Sequence, residues 1–242
     1  MSMLLRRRGE PEGKSSRPEA PAYLRARVGH DIGAVVFRTI WRGHRYDGRH
    51  VPRTGPVILA ANHASFMDGP LVFGMAPRPV HFIVKTEMFH GAIGLVLDTF
   101  GQIPIDRSGA DRRALTTALT VLRRGDVVGI FPEGRRGRGD VQAAHAGAAW
   151  LALAAKAPVV PVAILGTRHT GQSVNGFPPP LRKVAVAFGE PVHLARPEGM
   201  SGHAATAAVT EQLRSRLSQH VLESSARLGL PLPADDVSED GT

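Results

Sequence analysis

Short apolar runs recur along the chain from residue 56 onward, and segments with helical periodicity lie between them. Apolar runs of this length, bounded by Gly, Pro and charged residues, are typical of buried strands. They predict strands at 57–61, 80–84, 102–105, 127–131, 159–164 and 184–188.

Three helices are predicted between and after these strands, at 111–124, 144–156 and 203–228. The first has its apolar residues on one face, the second is apolar on almost all sides, and the third repeats an apolar residue every fourth position. The alternation of strands and helices predicts a single layered α/β domain, with a mostly parallel or mixed sheet flanked by helices.

The two ends of the chain lack these patterns. Residues 1–22 are predicted to be a disordered basic N-terminus and residues 231–242 a disordered acidic tail, which leaves 23–230 as the folded domain. Within that domain, residues 24–41 combine apolar residues and arginines in an amphipathic pattern. This pattern suits a helix that lies in a membrane interface, and it equally suits an ordinary helix packed on the domain.

Composition and charge narrow the possible partners. The formal charge of +9 indicates an anionic partner, which is either a nucleic acid, a phosphate-bearing ligand or an acidic membrane surface. Only 5% of the residues are aromatic and no nucleic-acid-binding motif is present, so nucleic acid is not expected. Because the chain has no long apolar run and no apolar segment after its first arginines, neither a transmembrane helix nor a signal peptide is predicted, and a cytoplasmic protein is expected.

Cysteine and histidine usage restricts the chemistry. The chain has no cysteine, which excludes disulfides, thiolate nucleophiles and cysteine-based zinc sites. Its eleven histidines are scattered without a metal-binding spacing, so no metal site is expected.

A histidine and an aspartate, His63 and Asp68, follow directly after the predicted strand 57–61. Positions five apart on a helix lie about 140° from each other, so these two side chains can meet only across a turn. Ser65 and Asp68 have the spacing of a capping box, which predicts a helix from about Phe66. A His–Asp pair of this kind suits general-base catalysis, although a helix-terminal carboxylate beside a loop histidine would give the same pattern.

Cationic residues lie at the ends of three other predicted strands. Arg107 ends the segment 101–107, Lys85 ends the strand near 84, and the Gly-rich segment 131–139 contains Arg135 and Arg136. Guanidinium groups and exposed backbone amides at strand ends favour an anion such as phosphate. The alternatives are a surface ion pair at Arg107, a solvated Lys85 and a basic surface loop.

In their order and character, four segments resemble those of the lysophospholipid acyltransferase family: Asn62–Asp68, Gly101–Arg107, Phe131–Gly137 and Val160–Ile164. The family carries Asn-His-x-x-x-x-Asp, Gly-x-Ile-x-Ile-Asp-Arg, Phe-Pro-Glu-Gly-Thr-Arg-Ser and Val-Pro-Val-Ala-Ile. This chain departs from the third pattern, with Arg135 at the usual Thr and Gly137 at the usual Ser.

The resemblance implies a role for each matching residue. His63 would be the general base and Asp68 its orienting partner. The residues implied in substrate binding are Asn62, Ser65, Lys85, Arg107, Glu133, Gly134, Arg135 and Arg136, with Arg107, Arg136 and Lys85 on the acceptor phosphate and Glu133 and Gly134 shaping its site. Ser65 also suits a helix cap better than a nucleophile.

The activity implied is transfer of a fatty acyl group from acyl-CoA or acyl carrier protein to the hydroxyl of lysophosphatidic acid. No acyl-enzyme, cofactor or metal is implied. The product would be phosphatidic acid, made by a peripheral protein on the inner face of the plasma membrane. Another lysophospholipid or a glycolipid is the alternative acceptor, and a non-catalytic lipid- or phosphate-binding module is the alternative class of protein.

Overall fold

The computed structural model describes residues 23–106 and 112–235. Within these ranges the strands are β1 (Arg42–Tyr46), β2 (Val57–Ala61), β3 (Val80–Lys85), β4 (Ile103–Ile105), β5 (Val127–Ile130), β6 (Val159–Leu165) and β7 (Lys183–Phe188). The helices are α1 (Tyr23–Thr39), α2 (Asp68–Met75), α3 (Gly91–Thr99), α4 (Arg112–Arg123), α5 (Ala146–Ala155) and α6 (Gly202–Leu228).

The strands form one mixed sheet in the order β1-β7-β6-β2-β5-β3-β4. All neighbouring strands are parallel except β6 and β7, so β1 and β7 run opposite to the other five. Strand β2 lies in the middle, where Leu59 is aligned with Gly129 of β5 and Val160 of β6. The sheet therefore confirms the predicted fold class, and it brings the carboxyl ends of β2, β5 and β6 to one edge.

Helices cover both faces of the sheet. Ile58 and Ala60 point to the side where α4, α5 and α6 pack, whereas Val57, Leu59 and Ala61 point to the side of α1 and α2. Because both faces are covered, every residue of β2 is buried, which explains its continuous apolar sequence.

Strand β1 and helix α3 were not predicted from the sequence, for different reasons. Strand β1 has the polar sequence Arg-Gly-His-Arg-Tyr and lies at the edge of the sheet, where it pairs only with β7 among the described strands. Helix α3 has two glycines in nine residues and a short apolar pattern that does not identify a helix. Helix α2 begins at Asp68 rather than near Phe66, because the residues before it form the turn that holds the Asp68 carboxylate.

Helix α1 has apolar residues on two faces. On one face it packs against α2, where a Cβ on Gly74 would lie 2.6 Å from the backbone carbon of Gly33. On the other face Leu24, Val28 and Val35 are 71%, 53% and 62% exposed. The helix therefore combines features of both interpretations of its sequence. None of the helices among the described residues is long and apolar enough to cross a membrane.

The chain beyond α6 remains packed on the domain as far as the structure describes it. Leu232 contacts the core beside α6, and Ala234 N–H donates a hydrogen bond to the Thr170 hydroxyl at 3.0 Å. An apolar side chain and specific hydrogen bonds thus hold residues 231–235, the start of the predicted tail, against the folded domain. The remaining predicted tail, 236–242, and the predicted basic N-terminus, 1–22, lie outside the described residues.

We expect Gly74→Ala to lower the free energy of unfolding by about 1–3 kcal/mol, because the new methyl group overpacks the contact between α1 and α2. Gly147→Ala in α5 is the matched control, since its methyl group would meet only the Leu115 side chain at an ordinary 3.6 Å. Urea unfolding of the two variants measures the difference. Equal stability would show that the glycine contact does not hold α1 in place.

Candidate active site

His63 and Asp68 meet across the turn between β2 and α2. The Nδ1–H of His63 donates to Asp68 Oδ2 at 3.0 Å, and Asp68 is completely buried. Because a carboxylate oxygen only accepts, the proton of the neutral imidazole lies on Nδ1 and the lone pair on Nε2. The side chain of His63 is 13% exposed and lines a cavity, so this imidazole is placed to act as a general base.

The Asp68 carboxylate is held from both sides. Its Oδ2 also accepts the backbone N–H groups of Ala64 and Ser65, each at 2.7 Å, and its Oδ1 accepts the hydroxyl of Thr167 at 2.6 Å. Hydrogen bonds to the charged form compensate the loss of water around a buried carboxylate. They also fix its orientation, and hence that of His63.

Ser65 is buried, and its hydroxyl accepts the Met67 N–H at 3.2 Å. The predicted capping box is therefore half present: the Asp68 carboxylate reaches back to the Ser65 N–H, while the Ser65 hydroxyl bonds the turn and not the helix. This geometry makes Ser65 a part of the turn, and direct contact with a substrate would require the side chain to leave it.

Asn62 joins the ends of two neighbouring strands. Its Nδ2 donates to the Ile164 carbonyl at 3.1 Å, and its Oδ1 accepts the Ile164 N–H at 2.7 Å. The residue is completely buried. The side chain therefore fixes the end of β2 against β6, and the predicted substrate contact would require it to break both bonds.

An aromatic stack supports the face of the imidazole. The ring of Phe131 lies parallel to His63 at a centroid distance of 3.9 Å, and Phe82 stacks behind Phe131 at 5.3 Å. A Cβ at Gly129 would come within 2.5 Å of the Phe82 ring, so this glycine makes room for the stack. With Asp68 at its edge and Phe131 at its face, the imidazole is held in one plane.

Glu133 and the loop after β5 bracket the backbone of His63. The His63 N–H donates to Glu133 Oε1 at 2.8 Å, and the His63 carbonyl accepts the Gly137 N–H at 3.0 Å. Gly134 has a φ of +70°, and a Cβ there would meet the His145 ring at 2.5 Å, so this turn of the loop requires glycine. Burial raises the pKa of Glu133 from 4.5 to about 7, opposed by the His63 N–H and reinforced by Asp140 and Asp68.

A cavity of about 510 Å³ opens beside His63. Its walls are mainly apolar and come from α1, α2, α3 and β3. Lys85 and Arg136 line the same cavity, and an Arg136 Nη1–H donates to Asn175 Oδ1 at 2.7 Å. The site thus combines an apolar volume, a candidate base and two cations.

The predicted site residues differ in where the structure places them. His63, Lys85 and Arg136 line the cavity, Asp68 and Glu133 are hydrogen-bonded to His63, and Gly134 follows Glu133 in the loop. Asn62 and Ser65 are buried. Arg135 is exposed and is absent from the described cavity lining. Arg107 lies outside the described residues. No group of three or more His, Asp or Glu side chains within the described ranges is placed to hold a metal ion.

Thr167 is a site residue that the sequence did not reveal. It follows the end of β6, 99 positions after Asp68 in the sequence, yet it donates directly to the Asp68 carboxylate. Only the adjacency of β2 and β6 brings the two together. A hydroxyl residue just after a strand indicates a possible site residue. Its partner can be identified only when the strand order is known.

Comparisons with known proteins agree on one family. A family model described as Acyltransferase matches residues 44–165. The 1-acyl-sn-glycerol-3-phosphate acyltransferase of Bacillus subtilis is 30% identical over 176 residues, covering 72% of this chain and 85% of that protein. The lyso-ornithine lipid O-acyltransferase of Pseudomonas aeruginosa is 34% identical over 112 residues, covering 45% of this chain and 43% of that protein.

A solved structure has the same fold. The crystal structure of the 1-acyl-sn-glycerophosphate (LPA) acyltransferase PlsC from Thermotoga maritima matches with a TM-score of 0.62 at 24% identity. The match covers 84% of this chain and 79% of that one. At this identity the likeness supports the arrangement of sheet and helices.

We expect Glu133→Gln to make stability less dependent on pH. With a pKa of about 7 in the folded chain and 4.5 as its ordinary value, Glu133 keeps a proton on folding that the unfolded chain loses, so wild-type stability falls as pH rises through this window. Glutamine does not titrate, so this loss of stability is absent from the variant. At pH 8 its free energy of unfolding should exceed that of the wild type by up to about 3 kcal/mol. Urea unfolding between pH 5 and 8 measures this, with exposed Glu198→Gln as control. Parallel pH profiles for the two variants would contradict the raised pKa.

Proposed function

The chain belongs to the acyltransferase family, and from that premise we propose that it transfers a fatty acyl group from an acyl thioester to the free hydroxyl of lysophosphatidic acid. The product is phosphatidic acid. The observation that carries the proposal is the position of the His63–Asp68 pair beside an apolar cavity that Lys85 and Arg136 also line.

The reaction proceeds by direct attack. The Nε2 of His63 takes the proton of the acceptor hydroxyl while the hydroxyl oxygen forms a bond to the thioester carbonyl carbon. The C–S bond then breaks, and the leaving sulfur receives the proton from the imidazolium. Asp68 stabilises the imidazolium in between. The burial of Ser65 and its bond to Met67 N–H support a mechanism without an acyl-serine.

The apolar walls of the cavity and its two cations recognise different parts of the substrates. The apolar walls suit a fatty acyl chain, because each buried methylene contributes about 0.8 kcal/mol. Lys85 and Arg136 suit the acceptor phosphate, because charge-assisted hydrogen bonds to phosphate are among the stronger contacts of a protein. The carrier of the acyl group is coenzyme A or acyl carrier protein, and neither requires a cofactor.

A different lysolipid is the second candidate acceptor. Arg135 and Gly137 replace the threonine and serine of the family pattern, so two hydroxyl groups are missing from the loop that includes Arg136. One relative is named for a lyso-ornithine lipid acceptor. A catalytically silent lipid-binding module is less consistent with the structure, because a buried, fully hydrogen-bonded Asp68 orients His63 for catalysis.

We further propose that the protein docks reversibly on an anionic membrane through α1 and α3. Exposed apolar side chains on α3, Leu95 at 69% and Val96 at 50%, add to those on α1. Ile32 and Ile93 are each about half exposed and also line the cavity, so its mouth opens within this apolar surface. Exposed arginines on α1 are placed to meet acidic headgroups, which suits the inner face of the plasma membrane.

We expect the purified protein to convert lysophosphatidic acid and an acyl thioester to phosphatidic acid, identified by mass against a panel of other lysolipids. His63→Ala should lower the rate about 10²- to 10⁴-fold through loss of the general base. In the same assay Arg136→Ala should lower kcat/KM for phosphorylated acceptors by about tenfold or more.

Arg138→Ala is the matched control for Arg136, since Arg138 is an exposed arginine of the same loop that pairs with Asp140. Preference for a lysolipid without a phosphate monoester would exclude lysophosphatidic acid as the acceptor. A His63→Ala variant as active as wild type would exclude the proposed base.

We expect a Val28→Gln and Val35→Gln double variant to lose binding to vesicles with acidic lipid, because it removes apolar surface from the exposed face of α1. Met200→Gln with Leu222→Gln is the control, since these exposed apolar residues belong to the α6 side of the sheet. Vesicle co-sedimentation at low and high salt measures the difference. Equal binding of both variants, or equal binding to neutral vesicles, would contradict docking through α1.

A further inference from the structure

A buried arginine lies directly behind the active-site loop. Arg168 follows Thr167 at the end of β6, and its side chain is 1% exposed. Its Nη2 donates to the Gly137 carbonyl at 3.1 Å and to the Asp235 carbonyl at 3.0 Å. Its Nη1 donates to the Gln172 carbonyl at 3.1 Å and to Asp235 Oδ1 at 3.0 Å. Its planar fork therefore joins the loop after β5 to the segment after α6.

Both the N–H and the carbonyl of Gly137 are hydrogen-bonded. Its carbonyl accepts from Arg168, and its N–H donates to the His63 carbonyl at 3.0 Å. Arg136 precedes it directly and lines the cavity. The position of Gly137 therefore determines the point from which the Arg136 side chain extends. Gly137 also connects Arg168 to the backbone of His63.

Asp235 supplies the negative charge that Arg168 needs. Its second oxygen, Oδ2, accepts the Gly171 N–H at 2.9 Å. Although partial burial opposes it, this N–H and the Arg168 guanidinium hold the pKa of Asp235 below its ordinary value. A guanidinium buried to this degree is costly unless a carboxylate compensates it. Among the described residues, the other partners of the guanidinium are the neutral carbonyls of Gly137, Gln172 and Asp235, and its Nε has no hydrogen-bond partner.

We propose that the segment after α6 is a working part of the active site, in which Asp235 and Arg168 act as positioning residues that hold the Gly137 peptide and thereby place Arg136 for the acceptor phosphate. The proposal deepens the function proposed above and rests on it. A segment expected from its sequence to be an acidic tail thus contributes, through one carboxylate, to recognition by a loop in the middle of the folded sequence.

Two variants of the full chain test this role. Asp235→Asn keeps the shape and removes the charge, and Arg168→Lys keeps the charge and removes the fork. Asp47→Asn is the matched control, because Asp47 pairs with Arg227 at 2.9 Å in an ion pair that involves none of the site residues. Asp235→Glu restores the carboxylate and should recover the wild-type behaviour in part.

Hydrogen exchange provides a readout that does not depend on activity. In Asp235→Asn and Arg168→Lys, a peptide covering residues 131–139 should exchange faster, because the bond between Gly137 N–H and His63 is loosened. Peptides from the middle of α6 should change much less. Unchanged exchange of the loop, or equal acceleration throughout the domain, would overturn the proposal.

Steady-state kinetics provide the second readout. The KM for lysophosphatidic acid should rise about tenfold in both variants, while kcat and the KM for the acyl thioester change much less. A uniform fall in kcat without a change in acceptor KM would overturn the positioning role. If the wild-type protein does not acylate lysophosphatidic acid, the proposed function fails, and the exchange experiment still decides whether Asp235 holds the loop.

Discussion

The structure of the site depends on one buried charge, the carboxylate of Asp68. A carboxylate without water is stable only when protein groups take the place of the water. Here those groups come from the turn after β2, through His63, Ala64 and Ser65, and from the end of β6, through Thr167. Because each donor must be in place for the charge to be tolerated, the constraint fixes the turn, the strand pairing and the imidazole together.

The central position of β2 follows from the same constraint. Its neighbours β5 and β6 deliver the loop with Glu133 and the segment with Thr167 to the edge where His63 lies. The Asn62 side chain joins β2 to β6 through two hydrogen bonds with the Ile164 backbone. In a parallel sheet the carboxyl ends of adjacent strands form the usual crevice for a ligand. Here the same crevice contains the hydrogen-bond donors that stabilise the Asp68 carboxylate.

How far the sequence predicts this arrangement depends on where each residue lies. Buried central strands such as β2 are continuous apolar runs, so they were identified nearly to the residue, and the spacing of His63 and Asp68 correctly indicated contact across a turn. Strand β1 owes its conformation to pairing with β7, and the role of Thr167 depends on strand order. Neither is encoded in a local pattern. Likewise, local polarity and charge suggested a tail at 231–235, where the decisive partner, Arg168, is 67 positions away from Asp235.

The two carboxyl groups beside His63 have different environments, and this difference bears on substrate charge. Asp68 is surrounded by donors, whereas Glu133 is desolvated and repelled by Asp140 and Asp68, which raises its pKa to about 7 although it accepts the His63 N–H. Near neutral pH a substantial share of Glu133 is therefore protonated. With Glu133 uncharged, the negative charge of the His63–Asp68 pair is set against the cations Lys85 and Arg136 on the cavity wall, and the potential at the mouth favours an anionic acceptor. The raised pKa of Glu133 thus reduces the negative charge near the phosphate site, while the hydrogen-bond donors around Asp68 hold the carboxylate that orients the base.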